Sequence, residues 1–273
     1  MDAAPSVWLT GSVHPELFVI AGVAGGAWVA ARRRARAGVG RGRAVAFFAG
    51  LAVLLAALNG PLHDLSERYL FSAHMVQHLL LTLAVPPLLL AGLPAFMLDG
   101  LLAPLLRHAG PAAVLRALTR PVPALLLYTV ALVAWHLPGP YDTALASHGW
   151  HLVEHVTLLV TATLAWWPVL ASSARLPALP YGAQILYLFA FGVPMTLVAA
   201  MITGAERVLY AFYAAAPRIG PLDPFDDQRL GGLLMWVPAG LIPLLAFTAV
   251  FFRWAAEEAD DLDESERAPR PTP

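Results

Sequence analysis

The sequence predicts an all-α fold, a polytopic integral membrane helix bundle of about seven transmembrane helices. Of its 273 residues, 59% are hydrophobic and 13% are charged, and the mean hydropathy is +0.66. This composition is far more apolar than that of a soluble globular domain. Several apolar runs approach the roughly 20 residues that a helix needs to cross the hydrocarbon core. Period-two alternation is missing, and helices satisfy their own backbone in lipid, so only helices fit.

Seven apolar runs are separated by clusters of proline and glycine such as Asn59-Gly60-Pro61 and Pro138-Gly139-Pro140, which are typical breaks between helices. The predicted spans cover about residues 15–31, 44–59, 70–91, 122–137, 149–170, 183–203 and 229–252. The first run is not expected to be a cleaved signal peptide, because the cluster Arg32-Arg33-Arg34 follows it instead of preceding it.

The remaining segments complete the predicted organisation. The connection 92–121 is rich in leucine, and we expect it to form short amphipathic helices on the inner membrane surface. Residues 1–256 are predicted to form the transmembrane domain. Residues 257–273 are acidic and rich in proline, which favours a disordered cytoplasmic tail.

The distribution of arginine predicts the orientation. The 17 basic residues are all arginine, and cytoplasmic loops of membrane proteins carry the excess of basic residues. With the N-terminus outside, the inner segments contain most of them: Arg32, Arg33, Arg34, Arg36, Arg41, Arg43, Arg107, Arg116, Arg120, Arg175 and Arg253. The outer loops contain only Arg68, Arg207, Arg218 and Arg229. The sequence therefore predicts an extracytoplasmic N-terminus and a cytoplasmic C-terminus.

Histidine pairs open two of the predicted spans. His74 and His78 open the third span, and His151 and His155 open the fifth. Residues four apart share a helix face, so each pair points in one direction. The chain has no cysteine, which excludes disulfides, thiolate ligands and a CxxC redox pair. Any metal must therefore be held by histidine, methionine or a carboxylate.

Three more ionisable residues belong to the same predicted membrane half. His136 ends the fourth span, Glu154 lies inside the fifth, and Asp227 precedes the seventh. Ionisable groups in membrane spans are costly and mark functional sites by default. A single histidine is more often a hydrogen-bonding residue between helices, but two pairs and a fifth histidine at one depth favour a metal or haem site. Glu154 and Asp227 would ligate or support the histidines.

The identity of the bound group stays open at this stage. Imidazole suits copper, zinc, iron and nickel; the outer location and the lack of cysteine favour copper. His151-Leu-Val-Glu154-His155 also matches the HxxEH pattern of inverted zinc hydrolases, which makes an intramembrane zinc hydrolase an alternative. Axial ligation of haem by two histidines is another, although it does not explain the paired spacing. Breaks at proline and glycine in the last two spans are also typical of transporters, so a transporter stays an alternative.

Ordered motifs give the chain a family resemblance. They are His74-Met75-Val76-Gln77-His78, Trp135-His136-Leu137-Pro138 with Tyr141, His151-Leu152-Val153-Glu154-His155 with Trp166-Trp167-Pro168, and Asp227-Gln228-Arg229-Leu230-Gly231-Gly232 with Met235-Trp236. With them the chain resembles the CtaG family of assembly factors for caa-type cytochrome c oxidases, over about two thirds of its length.

The resemblance implies a multi-pass protein of the bacterial plasma membrane, without enzymatic activity, that is needed to form active haem–copper oxidase and is suspected of supplying copper. The expected partners are oxidase subunits and membrane lipid, and no nucleic acid. The family motifs carry over to His74, His78, His136, His151, His155 and Asp227, with Glu154 between the last two histidines. His14, His63 and His148 receive no role.

Overall fold

The computed structural model describes residues 11–35 and 38–267, and within these residues all regular structure is helical. The helices are α1 Pro15–Arg34, α2 Arg41–Ala57, α3 Gly60–Arg68, α4 Phe71–Leu79, α5 Val85–Gly92, α6 Ala95–Leu106, α7 Ala109–Leu118, α8 Pro121–His136, α9 Pro138–Ala146, α10 His148–Leu170, α11 Tyr181–Thr203, α12 Ala211–Ala215 and α13 Pro224–Arg267. A π-helical turn, Leu80–Ala84, joins α4 to α5. The predicted all-α fold is confirmed.

Four helices are long and apolar enough to cross a membrane, and two bent pairs raise this number to six if each pair is one span. The four are Phe71–Gly92, His148–Leu170, Tyr181–Thr203 and Pro224–Asp260. The pairs are α2 with α3, bent by 44°, and α7 with α8, bent by 73°. The chain is thus a multi-span membrane protein, while the number seven and the orientation stay predictions. Each of the seven predicted spans falls largely on a helix.

The π-helical turn follows His78 directly and is held by two hydrogen bonds. The hydroxyl of Thr82 donates to the carbonyl of His78 at 2.7 Å, and the indole nitrogen of Trp166 donates to the carbonyl of Thr82 at 2.9 Å. A π-turn leaves backbone carbonyls out of the regular ladder and often lies at functional sites. Here the carbonyl of Thr82 in the turn accepts the hydrogen bond from Trp166, which links the span that carries His74 and His78 to α10.

Two glycines allow α13 to approach its neighbours closely. A Cβ at Gly231 would overlap the ring of Phe71 on α4, and a Cβ at Gly232 would overlap the side chain of Thr203 on α11. Because glycine lacks that carbon, the backbones can pack at short range. The close packing brings the start of α13, with Asp227, to the N-terminus of α4.

The connecting segments follow the sequence analysis in part. The stretch 92–121 contains the short helices α6 and α7, while their place on the inner membrane surface stays a prediction. Helix α13 continues to Arg267, past the boundary predicted between residues 256 and 257. Residues 268–273 of the predicted tail lie outside the described residues, and the division of the chain at residue 257 stays a prediction.

Candidate metal centre

Five of the predicted site residues meet between two helices. His74 and His78 face the interior from α4, and His151, Glu154 and His155 face them from α10; all five are buried. The spacing explains the convergence, because residues three or four apart lie on one face of a helix. The ring centroids of His74 and His78 are 4.2 Å apart, and those of His151 and His155 are 4.1 Å apart.

The carboxylate of Glu154 lies at the middle of this group. Its Oε1 is 3.5 Å from Nε2 of His78, and its Oε2 is 3.9 Å from Nε2 of His74 and 4.0 Å from Nε2 of His151. His74, His151, Glu154 and His155 each offer a ligand atom, and these four atoms lie within 4.8 Å of one another. Ligands about 2.1 Å from a tetrahedral ion are about 3.4 Å apart, so small rotations would complete such a set.

Six buried nitrogen and oxygen atoms of this cluster have no hydrogen-bond partner among the described residues. They are both carboxylate oxygens of Glu154 and Nε2 of His74, His78, His151 and His155. Buried polar atoms are nearly always paired, and each exception calls for an explanation such as an ion. Six such atoms in one small volume, all of them good ligands for a transition metal, fit a metal ion.

The other nitrogen of His74 contacts two tyrosines. Its Nδ1 lies 3.0 Å from the hydroxyl of Tyr213 and 2.9 Å from that of Tyr141. Burial raises the pKa of Tyr213 well above its usual range, so the hydroxyl stays protonated and donates to the carbonyl of Ser66. When the proton of His74 is on Nδ1, the oxygen of Tyr213 accepts a hydrogen bond from it. This assignment leaves the lone pair of His74 on Nε2, the atom that faces Glu154.

His136 lies next to His78, on the side of that ring away from Glu154. Its Nδ1 donates to the carbonyl of Leu132 at 2.7 Å, which leaves a lone pair on Nε2, and that atom is 3.5 Å from Nδ1 of His78. A proton on His78 Nδ1 directed at His136 leaves the lone pair of His78 on Nε2, toward Glu154. His136 therefore contacts a cluster histidine, and its fully buried ring packs 5.3 Å from that of His78.

Asp227 lies at the N-terminus of α4, and both of its carboxylate oxygens have hydrogen-bond donors. Its Oδ2 accepts a hydrogen bond from the backbone nitrogen of Phe71 at 2.7 Å, and its Oδ1 accepts from the backbone nitrogen and the hydroxyl of Ser72, at 3.1 and 2.5 Å. The first backbone N–H groups of a helix have no partner within it. A carboxylate from α13 thus caps the helix that carries His74 and His78.

Outside the cluster, Asp142 and three methionines carry further possible ligand atoms. Asp142 accepts hydrogen bonds from the backbone of Ala211 and Phe212, at the start of α12. Met75 and Met235 are buried and Met201 is partly exposed.

Sequence reasoning missed a group of residues on the rim of the cluster, which includes Glu67 of α3. The Oε1 atom of Glu67 is 2.8 Å from Nδ1 of His151 and 3.3 Å from Nε2 of His63. The Nε2 atoms of His63 and His14 are 3.0 Å apart, and the rings of His14 and His148 are stacked with centroids 6.2 Å apart. The signal available in the sequence was the spacing of His63 and Glu67, four residues apart, but α3 lay between predicted spans.

A family model agrees with this arrangement of motifs. The model for the cytochrome c oxidase caa3 assembly factor, Caa3_CtaG, matches residues 25–257. The chain belongs to this family. The match covers most of the chain and includes the helices that carry the cluster, so the CtaG resemblance of the sequence motifs is confirmed.

Curated relatives of this CtaG-family chain come from mycobacteria. Uncharacterized proteins of Mycobacterium bovis and Mycobacterium tuberculosis are each 24% identical to it over 271 residues, covering 93% of this chain and 40% of the relative. A similar protein of Mycobacterium leprae is 24% identical over 243 residues, covering 80% of this chain and 35% of the relative. The chain thus spans less than half the length of these relatives. No solved structure matches it.

Proposed function

We propose that this CtaG-family protein binds copper at the cluster of His74, His78, His151, His155 and Glu154 and supports the metallation of a haem–copper oxidase in the bacterial plasma membrane. The part of the proposal that concerns the oxidase rests on membership of the assembly-factor family. The part that concerns metal binding rests on the cluster. His136 and Asp227 support the site, the first through the ring of His78 and the second through the N-terminus of α4. Oxidase subunits and membrane lipid are the partners under this proposal.

The observation that carries the proposal is the meeting of lone pairs around Glu154. The Nδ1 protons of His74, His78 and His151 are directed at Tyr213, His136 and Glu67. Each Nε2 therefore directs a lone pair at the carboxylate of Glu154. Acceptors that face acceptors in a buried volume are unfavourable without a proton or a cation between them. A transition-metal ion resolves this for all the atoms at once.

Copper is the metal we propose among those that imidazole binds. The ligand set contains imidazole and carboxylate and no thiolate, which suits copper, zinc and iron alike. The assembly-factor family favours copper, because haem–copper oxidases contain it. The bound ion would be cargo for the oxidase, and the protein would hold it without catalysing a reaction.

The alternatives receive less support. In a zinc hydrolase of the HxxEH type, Glu154 would act as a general base beside His151 and His155, but the family match is to an assembly factor. In a haem protein, two histidines would ligate iron from opposite faces of a porphyrin. The donor atoms here lie within 4.8 Å of one another, and the crowded imidazoles occupy the space that such a ring would need.

Metal analysis of the purified protein tests the proposal. We expect copper in the wild-type protein, and little in a variant with His74, His78, His151 and His155 changed to Ala. The matched control is His108→Ala, because His108 is an exposed histidine between α6 and α7, and it should keep the wild-type copper content. In cells, the four-histidine variant should also lower the copper content and the activity of the oxidase.

Equal copper in the wild type and the four-histidine variant would contradict the proposal, and so would the lack of binding after incubation of the wild type with Cu(I) and Cu(II). Retention of zinc alone would keep the site and reject copper. If cells with the four-histidine variant had an oxidase with wild-type copper content and activity, the metal site would not be needed for oxidase assembly.

A further inference from the structure

Glu67 lies behind the ring of His151, on the side away from the cluster. The 2.8 Å contact joins its Oε1 to Nδ1 of His151, and the side chains are 23% and 6% exposed. An ionised carboxylate only accepts hydrogen bonds, so Nδ1 of His151 carries the proton. The lone pair of His151 is then on Nε2, one of the six unpaired atoms of the cluster.

Glu67 is itself held in place from α3 and α4. The amide nitrogen of Gln77 donates to the carbonyl of Ala57 at 2.8 Å and to Nδ1 of His63 at 3.1 Å. A neutral His63 that accepts at Nδ1 carries its proton on Nε2, and this atom faces Glu67 at 3.3 Å and His14 at 3.0 Å. His63, which Gln77 holds in place, therefore fixes the position of the Glu67 carboxylate.

His151 differs from His74 and His78 in the charge of the group that contacts its Nδ1. Tyrosine hydroxyls contact Nδ1 of His74, and the imidazole of His136 contacts Nδ1 of His78. Both partners are neutral, whereas Glu67 is a carboxylate. A carboxylate on the outer nitrogen of a metal-bound histidine fixes the ring and makes the ligating nitrogen more basic, and its loss typically weakens metal binding about 10- to 100-fold.

We propose that Glu67 is a positioning residue of the metal centre: it fixes His151 with Nε2 directed at the ion and strengthens that ring as a ligand. This inference rests on the proposed function of the cluster as a metal site. It gives α3, which the site motifs do not include, a direct part in metal binding. His63 acts one step further out, by holding Glu67 against His151.

Metal titration of purified protein stripped with a chelator tests the role of Glu67. For Cu(II), and for Zn(II) as a second probe, we expect Glu67→Ala to weaken binding on the order of 10- to 100-fold. Glu67→Gln keeps an acceptor oxygen for His151 without the charge and should fall between Glu67→Ala and the wild type. Glu16→Gln is the matched control, because Glu16 pairs with His14 at the exposed end of the same chain of contacts and should bind as the wild type does.

The electron paramagnetic resonance spectrum of the Cu(II)-loaded protein is the second readout. A purely structural role would leave the copper hyperfine coupling unchanged in the fraction that binds, whereas a turned or weakened His151 changes it. We expect a changed spectrum for Glu67→Ala and partial return to the wild-type spectrum for Glu67→Gln. Should Glu67→Ala fail to fold, Glu67→Asp keeps the charge but withdraws it from His151, and it should show the same change in affinity and spectrum.

Wild-type affinity and spectrum in Glu67→Ala or Glu67→Asp, together with loss of binding in His151→Ala, would overturn the role of Glu67 and leave the metal site in place. Wild-type binding in His151→Ala and in the four-histidine variant would instead overturn the proposed function. The two failures are therefore distinguishable in one set of proteins.

Discussion

At the scale of the residue, Glu154 is placed where a carboxylate is unfavourable without a cation. Its side chain is fully buried and neither oxygen has a hydrogen-bond donor among the described residues. The nearest polar atoms are Nε2 of three histidines. A buried carboxylate without a partner costs several kcal/mol in real proteins. If the cluster binds a metal as proposed, we expect it to lower the stability of the metal-free protein and to recover that stability on metal binding.

Glu154→Gln should separate stability from metal binding. The amide can donate to the lone pairs on the histidines, so we expect the metal-free variant to unfold at the wild-type temperature or above it. A ligand at 100 times its Kd stabilises the folded state by about 2.7 kcal/mol. The rise in Tm on adding Cu(II) should therefore be smaller in the variant than in the wild type, because the variant binds more weakly.

Thermal unfolding in detergent, with and without Cu(II), measures both effects. His108→Ala controls for the loss of an ionisable side chain elsewhere. A metal-free Glu154→Gln protein that unfolds well below the wild type, or an undiminished rise with Cu(II), would show that the carboxylate serves the fold and not the ion.

At the scale of the element, the geometry of the cluster depends on how α4 begins and ends. Asp227 caps its N-terminus, and the π-helical turn follows His78 at its other end. His74 lies in the first turn of α4, within three residues of the capped backbone. The cap from α13 therefore fixes the N-terminus of α4, and with it the turn that carries His74, against α13.

Asp227→Ala should lower both stability and metal affinity. Loss of a helix cap costs about 0.5–2 kcal/mol, and three donors at Phe71 and Ser72 would lose their acceptor. Asp227→Asn keeps one acceptor oxygen and should lose less. The control is Asp226→Ala, because its neighbouring carboxylate is exposed. Unfolding temperatures and Cu(II) titrations that match the wild type in Asp227→Ala would contradict this role for the cap.

The elements also show what the sequence could predict. Helical spacing gave the shared faces of His74 with His78 and of His151 with His155, because this geometry is local. The match between Glu67 and His151 joins residues 84 apart, and it depends on where α3 turns after its 44° bend from α2. Hydropathy does not encode that turn. Asp227 was predicted near the cluster, but its contact with the backbone of α4 requires the close packing at Gly231.

At the scale of the whole molecule, the two ends of the bundle differ in their polar residues. One end contains the cluster, with His14, His63 and His148 around its rim. The contacts of Arg43 with the carbonyl of Leu93 and of Arg253 with the ring of Tyr181 lie toward the opposite end, where most of the arginines occur. Basic residues are retained on the cytoplasmic side of membranes, so we expect the cluster to lie near the outer face, where a copper donor outside the cell could reach it.

Cysteine labelling in intact cells tests this orientation. Because the protein has no native cysteine, only the introduced cysteine can be labelled in it. Ala146, at the end of α9 beside the cluster, and Ala109, at the start of α7, are both exposed. Because impermeant reagents stop at the membrane, a maleimide of that kind should label Ala146→Cys in intact cells and Ala109→Cys only after lysis. Each variant serves as the control for the other. The reverse pattern would place the cluster on the cytoplasmic side, and copper would then have to come from an intracellular donor.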